Sequence, residues 1–435
     1  MSEFDPHLNI EVLTKTKDTN YTIRRIDIEH ANIKLETPYK IIEGKNINKE
    51  LSDFLEQNIT KPILESGVYV LRYNTWSRLK YLIEEADEER IPGLDKTFGL
   101  RKKIWDRSPT VVSLVFAKNP FVENVFGTDQ NKKRLPPFDK DCYESLLDYM
   151  HEASSAVILA PDIRIFKKNI DLDEYLRFVD ENVKILSKFN KRPIFVPIQT
   201  DLAQKRSRKI LEHYKKQNYT NIWINFNASH IGGTYFTRVR TLLRLMDNIM
   251  GLNNVVLYYS HLKKEINPHM KDEKVAASDI LSQFFAADFI GINREPSRRV
   301  VETPDEKEER IKELVMRGEY KSEQEFEETL KYHKARIFDP ATYYYFRLDK
   351  YPRTLPFREE MLLRSDVNKL FNSIVLYREV ENTKQFVEQQ DKKVLLPYIK
   401  KKKAVEEHKE ILAGIIGEKE DTGKQKDLFE YLGEL

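Results

Sequence analysis

Between Ala156 and Asn293 the chain repeats one unit: a short apolar run closed by a polar residue, then an amphipathic segment. The runs are AVILAPD (Ala156 to Asp162), PIFVPIQ (Pro193 to Gln199), NIWINFN (Asn221 to Asn227), NVVLYYS (Asn254 to Ser260) and DFIGIN (Asp288 to Asn293). Apolar runs of this length, rich in Ile and Val, read as strands buried on both faces. The helical patterns between them call for parallel crossovers. The expected fold class is α/β, a (β/α)8 barrel, with functional residues gathered where strands meet their following loops. Asp162, Gln199, Asn227, Ser260 and Asn293 close the five runs. Polar residues are also ordinary turn-formers at strand ends, so position alone leaves their role open.

The flanking pattern extends this core. Asn9 to Leu13, Tyr21 to Ile28 and Ile33 to Tyr39 alternate as antiparallel strands, making residues 1–60 an N-terminal β segment that leads into the barrel. The barrel is expected over 61–300, with a strand in GVYVLRYN (Gly67 to Asn74), another at Thr110 to Phe116, and a helix from Asp141 to Ser154. Residues 301–395 form a charged, then aromatic, then helical extension, with DPATYYYF as packed edge and Leu362 to Gln390 as a long amphipathic helix. Residues 396–435 are a charged tail.

Composition narrows the class. The 435 residues are 33% charged and 40% hydrophobic, and no apolar run approaches bilayer length, so a soluble chain without a membrane partner is expected. The start MSEFDPHLNIEV does not read as a signal peptide. Cys142 is the one cysteine, which excludes an internal disulfide and a Cys-rich zinc site; a cytoplasmic location follows as the default, with no metal. No Gly-rich phosphate loop is present, and no cofactor is expected. His261 and His269 follow a strand without a carboxylate pattern that would make a metal site, and His213 reads as helix surface. A net charge of +3 does not diagnose a nucleic-acid partner. Its clustering is more informative. Lys205, Arg206 and Arg208 follow one strand end, and Arg294, Arg298 and Arg299 follow another, so on a barrel they would share one rim.

Several segments, in order, resemble tRNA-guanine transglycosylases over roughly residues 20–390. IDIEHANIKLETPYKIIEG resembles that family's opening, GVYVLRYNTW its strand ending in Asn-Thr-aromatic, and AVILAPD its strand ending in a base-binding Asp, here Asp162. PIFVPIQTD resembles the strand ending in Gln-Gly, with Gln199 kept, and HIGGTYFTRVRTLLRLM the Gly-Gly loop and helix, with Gly232 and Gly233 kept. NVVLYYSH, AADFIG and SDVNKLFNSIVLYREV are similar to the last two strands and the C-terminal helix. The resemblance implies a pocket for a guanine or 7-deazaguanine base in tRNA or DNA. A guanine edge offers donors to a carboxylate such as Asp162. It also offers an acceptor to the Gln199 amide and to backbone N–H groups at Gly232 and Gly233.

The departures bear on catalysis. Where IWDRSPTVVSLVF stands, the family has its acid/base Asp; here the place is Val112 or Ser113. The family's nucleophilic Asp falls at Gly291, while the earlier Asp is kept as Asp288, the one catalytic candidate if the register slips. The family's three zinc-ligating cysteines are absent. Base exchange needs a carboxylate that attacks the ribose carbon and a second group that handles the proton on the base. Three readings follow. One is a transglycosylase-like protein that recognises nucleic acid without the standard exchange chemistry, a homodimer or a non-catalytic subunit beside an active transglycosylase partner. The second is an active guanine transglycosylase on tRNA or DNA. The third is a barrel scaffold without a ligand.

Overall fold

The computed structural model describes residues 8–45, 47–84, 90–101, 105–126, 132–164, 170–189, 192–295 and 304–416. Eight parallel strands close into a ring among them. The first strand comes in two pieces, Tyr39–Lys40 and Ile42–Glu43. The next are Leu64–Val70 and Thr110–Phe116. The fourth is again in two pieces, Ile158–Leu159 and Asp162–Ile163. Ile194–Gln199, Asn221–Asn225, Val256–Ser260 and Phe289–Ile290 complete the ring. Ile42 pairs with Leu64, Glu65 with Val111, Val115 with Asp162, Ile158 with Ile194, Val196 with Ile222, Asn225 with Ser260 and Tyr259 with Ile290. Phe289 then pairs with Tyr39, which leaves no sheet edge. The architecture is the expected (β/α)8 barrel.

The second strand starts three residues before the expected Gly67, and Tyr73 and Asn74 already belong to the helix Tyr73–Glu84. One apolar cluster draws on seven of the eight strands, with Val111, Phe195, Trp223, Tyr258 and Phe289 among its fully buried members and Tyr69 of the second strand packed against it. Ile26, Ile28 and Leu35 belong to the same cluster. They come from an antiparallel sheet of Asn9–Lys15, Thr22–Ile28 and Ile33–Thr37, which therefore covers the N-terminal end of the barrel. The helix Ser365–Glu388 packs along the first strand, with Tyr377 edge-on to Tyr39 at 5.6 Å and Lys369 Nζ 2.7 Å from Glu43. The aromatic run is core: Tyr343, Tyr344 and Tyr345 are buried, and Tyr344–Arg347 is the middle strand between Arg336–Asp339 and Lys274–Ala276. No described helix is long and apolar enough to cross a membrane.

Asp288 is corrected as a catalytic candidate by its place in this fold. It precedes the last strand, at the covered end of the barrel. It lies 3.4 Å from Arg24 Nη1 and accepts from Thr37 Oγ1 at 3.1 Å and Leu257 N at 2.8 Å. Arg24 also donates to the carbonyls of Val255 and Leu252. Burial raises the Asp288 carboxyl, and Arg24 opposes that shift. Asp288→Asn leaves Arg24 buried without its counter-charge, so a loss of about 3–5 kcal/mol is expected in urea unfolding. Nucleic-acid affinity should not change, and a change there would show that Asp288 acts at the mouth after all.

Candidate functional site

A cavity of about 840 Å³ opens at the C-terminal end of the strands. Its wall is built from Lys40 and Glu43 on the first strand, Gly67 and Tyr69 on the second, and the segments Lys263–Glu265 and Ile292–Glu295 that follow the last two strands. Asn368, Lys369, Asn372 and Leu376 of the helix Ser365–Glu388 close one side. This is the size of a small-molecule site and the place where barrels put their chemistry.

Charge dominates the wall. Eight Lys and Arg side chains line it against three Glu. Two of the acids are answered locally: Glu43 by Lys369, and Glu265 by Lys264 at 3.1 Å. Arg294 is 8% exposed and lies 3.8 Å above the Tyr69 ring. Its Nη1 has no hydrogen-bond partner among the described residues, nor does the buried Tyr69 hydroxyl. Lys40 is buried at the floor, and its Nζ donates to the carbonyls of Ile41 at 2.9 Å and Gly291 at 2.5 Å. Burial lowers its ammonium to about 8. Asp279, which accepts from Tyr345 at 2.7 Å and Asn293 at 2.5 Å, is pushed up to about 6 by burial.

Beneath the floor runs a buried polar chain. Glu65 Oε2 accepts from the Tyr258 hydroxyl at 2.7 Å and the Ile292 amide at 2.9 Å. Ser113 Oγ is 2.9 Å from Glu65 Oε1 and 3.1 Å from His261 Nε2. His261 Nδ1 lies 3.0 Å from Asn225 Oδ1, and Asn225 Nδ2 donates to Asp162 at 2.7 Å. Asp162 also accepts from Gln199 Nε2 and from Tyr175, each at 3.1 Å, and Asn227 donates to Gln199 Oε1 at 3.0 Å. Burial raises the carboxyls of Glu65 and Asp162, the latter to about 7, and lowers the His261 imidazole well below its usual value. His261, Asn227 and Ala228 hold left-handed backbone, at φ +62°, +49° and +63°. Non-glycine residues there cost on the order of 1–3 kcal/mol each, and such strain concentrates at working sites.

The structure brings some of the sequence candidates together and separates others. Asp162 and Gln199 touch, but both are fully buried and neither lines the cavity. The expected open base pocket between them is corrected: Asn225, Asn227 and Tyr175 already occupy their polar atoms. Gly232 packs against Ile266 and His230. Gly233, at φ +52°, caps the helix Thr234–Met250. Of the basic rim residues, Arg294 lines the cavity. Lys205, Arg206 and Arg208 sit in the first turns of the helix Gln204–Lys216 and do not line it. Arg298 and Arg299 lie outside the described residues. Among the described residues no three His, Cys, Asp or Glu stand together as metal ligands would.

Glu65 was missed by reasoning from the sequence. A Cβ on Gly291 would collide with Glu65 Oε2 and lie 2.8 Å from Ser260 Cβ and Tyr258 Cε1. A carboxylate from the second strand thus fills the space a side chain at 291 would take. The signal that would have found it is the pleat: Glu65, Gly67 and Tyr69 share one strand face.

No family model matches the chain, and no curated protein matches it. Among solved structures it is similar to morphinone reductase in complex with tetrahydroNAD, at 9% identity and a TM-score of 0.34, covering 61% of this chain and 85% of that one. It is also similar to a Cellulomonas fimi endo-beta-1,4-mannanase double mutant, at 10% identity and a TM-score of 0.35, covering 62% and 66%. Likenesses this distant carry no argument about the site, and the barrel rests on its own strand pairings.

Proposed function

We propose that the protein is a transglycosylase-like barrel that holds a nucleic-acid strand, tRNA or DNA, at its mouth. A guanine or 7-deazaguanine base is then directed to the cavity floor. The observation that supports this reading is the cationic cavity wall, eight Lys and Arg against three Glu, with the buried Arg294 Nη1 lacking a hydrogen-bond partner among the described residues. A polyanion supplies acceptors for those donors, and its phosphates give affinity through counterion release. The two-aspartate exchange chemistry of the resembled family is not reproduced, since Gly291 and either Val112 or Ser113 stand at those places. Exchange by a different set of groups is the second reading, favoured by the Glu65 carboxyl that meets both Ser113 and the space above Gly291.

The test is fluorescence anisotropy with labelled tRNA, single-stranded DNA and duplex DNA across a salt series. Arg294→Gln should weaken binding by about 10- to 100-fold, the value of a charged hydrogen bond. Lys263→Glu should reduce the salt slope by about 0.7–0.9 for each phosphate it releases. Lys205→Glu and Arg208→Glu should change little, because they lie off the cavity. Equal losses at both places would replace a specific mouth site with general electrostatic attraction.

A further inference from the structure

The chain from Glu65 to His261 has a proton arrangement that can be worked out atom by atom. Asn225 Nδ2 donates to Asp162, and Asn225 Oδ1 accepts from the Asn227 amide at 3.0 Å, so Oδ1 faces His261 as an acceptor. His261 Nδ1 therefore carries a proton, an assignment made from the network. The ring is enclosed and faces the positive charge of Arg294, both of which keep it neutral. Its Nε2 is then an acceptor, and the Ser113 O–H points to it. This leaves Ser113 Oγ and Glu65 Oε1, 2.9 Å apart, with no proton between them unless Glu65 is a neutral acid. Glu65 is fully buried, which favours the neutral form for the same reason.

Gly67 separates this group from the cavity. A Cβ on Gly67 would lie 3.1 Å from Ser113 Oγ, 3.1 Å from the Tyr69 hydroxyl and 2.8 Å from Ile292 Cδ1. Gly67, Tyr69 and Ile292 line the cavity. The Gly67 backbone and the Ile292 methyl group thus stand between the cavity and Ser113, which is itself fully buried. A ligand heteroatom laid over Gly67 reaches both hydroxyls once the Ile292 methyl group turns away, an approach that a side chain at 67 would block. The Tyr69 hydroxyl and Arg294 Nη1 have no hydrogen-bond partner among the described residues.

We propose that Glu65, Ser113 and His261 form an acid–base site at the cavity floor, reached over Gly67, that donates a proton to a heteroatom of a guanine-type base. The ligand class rests on the nucleic-acid reading above; the site itself does not. Ser113 turns its O–H from His261 Nε2 to the ligand, and Glu65 Oε1–H passes to Ser113 Oγ. One O–H bond on Glu65 breaks and one N–H or O–H bond on the base forms. The positive charge gained by the base balances the carboxylate left on Glu65. That carboxylate keeps the Tyr258 hydroxyl and the Ile292 amide as donors, with the Lys40 ammonium adding favourable potential. The facing ionisable groups are thus Tyr258 on the seventh strand, Lys40 on the first, Tyr69 on the second, His261, and Arg294 beyond the eighth.

The test uses the full chain and infrared difference spectroscopy. Glu65→Gln keeps the acid's pattern, with an amide N–H toward Ser113 and a carbonyl toward Tyr258 and Ile292, and should fold. Wild type minus Glu65→Gln at pH 7 should show a protonated carboxylic C=O band that shifts in heavy water. No such band overturns the proposal. If Glu65→Gln does not fold, Ser113→Ala replaces it, and the carboxylic band must then shift in frequency. With free guanine as the probe, the band should shift or vanish, while an unchanged band removes the ligand contact. Gly67→Ala should leave the band in place but weaken guanine binding at least about tenfold, because its methyl group blocks the approach to Ser113. Undiminished guanine binding in Gly67→Ala overturns the route over Gly67. Anisotropy with tRNA and DNA on the same samples decides the nucleic-acid reading separately, since the carboxylic band does not depend on it.

Discussion

Gly291→Asp should yield no soluble folded protein, and Gly291→Ala should lose about 3 kcal/mol or more in urea unfolding. The first atom of any side chain at 291 meets Glu65 Oε2, Ser260 and Tyr258 at once, and all three residues are fully buried. The backbone cannot retreat. Gly291 N donates to Tyr259 O at 2.6 Å, and Gly291 O receives the Lys40 ammonium. Overfilling a packed core costs about 1–3 kcal/mol, and a second carboxylate beside Glu65 adds an unpaired buried charge. The resembled family's aspartate therefore cannot simply be restored here, and an exchange assay on that variant would only report misfolding. Because the clash is with one residue, the remedy is specific. Glu65→Ala combined with Gly291→Ala should recover part of the loss, with a coupling of about 2 kcal/mol in a double-mutant cycle. A Gly291→Ala protein as stable as wild type would show that Glu65 does not occupy that volume.

This pairing also shows what reading the chain alone reaches. The barrel was legible because five apolar runs alternate with helical patterns, and that period survives any error of a few residues at strand ends. Glu65 was not legible because the second strand begins at Leu64, inside LESG, where a carboxylate and two small residues hide the apolar pattern. Three residues at a strand's start decided whether a site had its acid. His261 was set aside because its partners are remote: Ser113 is 148 positions away and Asn225 is 36. Asp162 and Gln199 were legible as polar strand ends. Their mutual closure was not, because it depends on Tyr175 in the helix Leu172–Leu186, whose hydroxyl reaches across to Pro197 O at 2.9 Å. The cavity wall was hidden for a similar reason. Asn368, Lys369 and Asn372 read as the polar face of a helix, and only the packing of that helix on the first strand turns them toward the mouth.

Asp162→Asn should reverse its effect on stability with pH. Burial pushes the Asp162 carboxyl up to about 7 in the folded protein, against about 3.9 in an unfolded chain. Between those values the folded state holds a proton that the unfolded state has lost. Its stabilising contribution is full below about pH 4 and is lost as pH rises through 7, on the order of 4 kcal/mol. Tyr175 makes both states tolerable. Its hydroxyl donates to the ionised carboxylate, and when the carboxyl is protonated it accepts from it and donates to Pro197 O instead. Asparagine copies the neutral acid but sets one extra N–H against the Gln199 amide nitrogen, a cost of about 1–3 kcal/mol at every pH. Lys40 works in the opposite sense. Its ammonium is lowered to about 8, so the unfolded chain binds that proton more tightly, and stability rises with pH from about 8 toward 10.5 in both proteins. Urea midpoints at pH 4.5, 6, 7.5 and 9 should therefore show wild type ahead by about 1–3 kcal/mol at the acid end. The Asn variant should be level or ahead above pH 8, with the two curves crossing between 6 and 8. Parallel curves would mean that Asp162 is ionised throughout. It would then stand as a fixed anion held by Gln199 and Asn225, not as a group that burial has brought within reach of neutral pH.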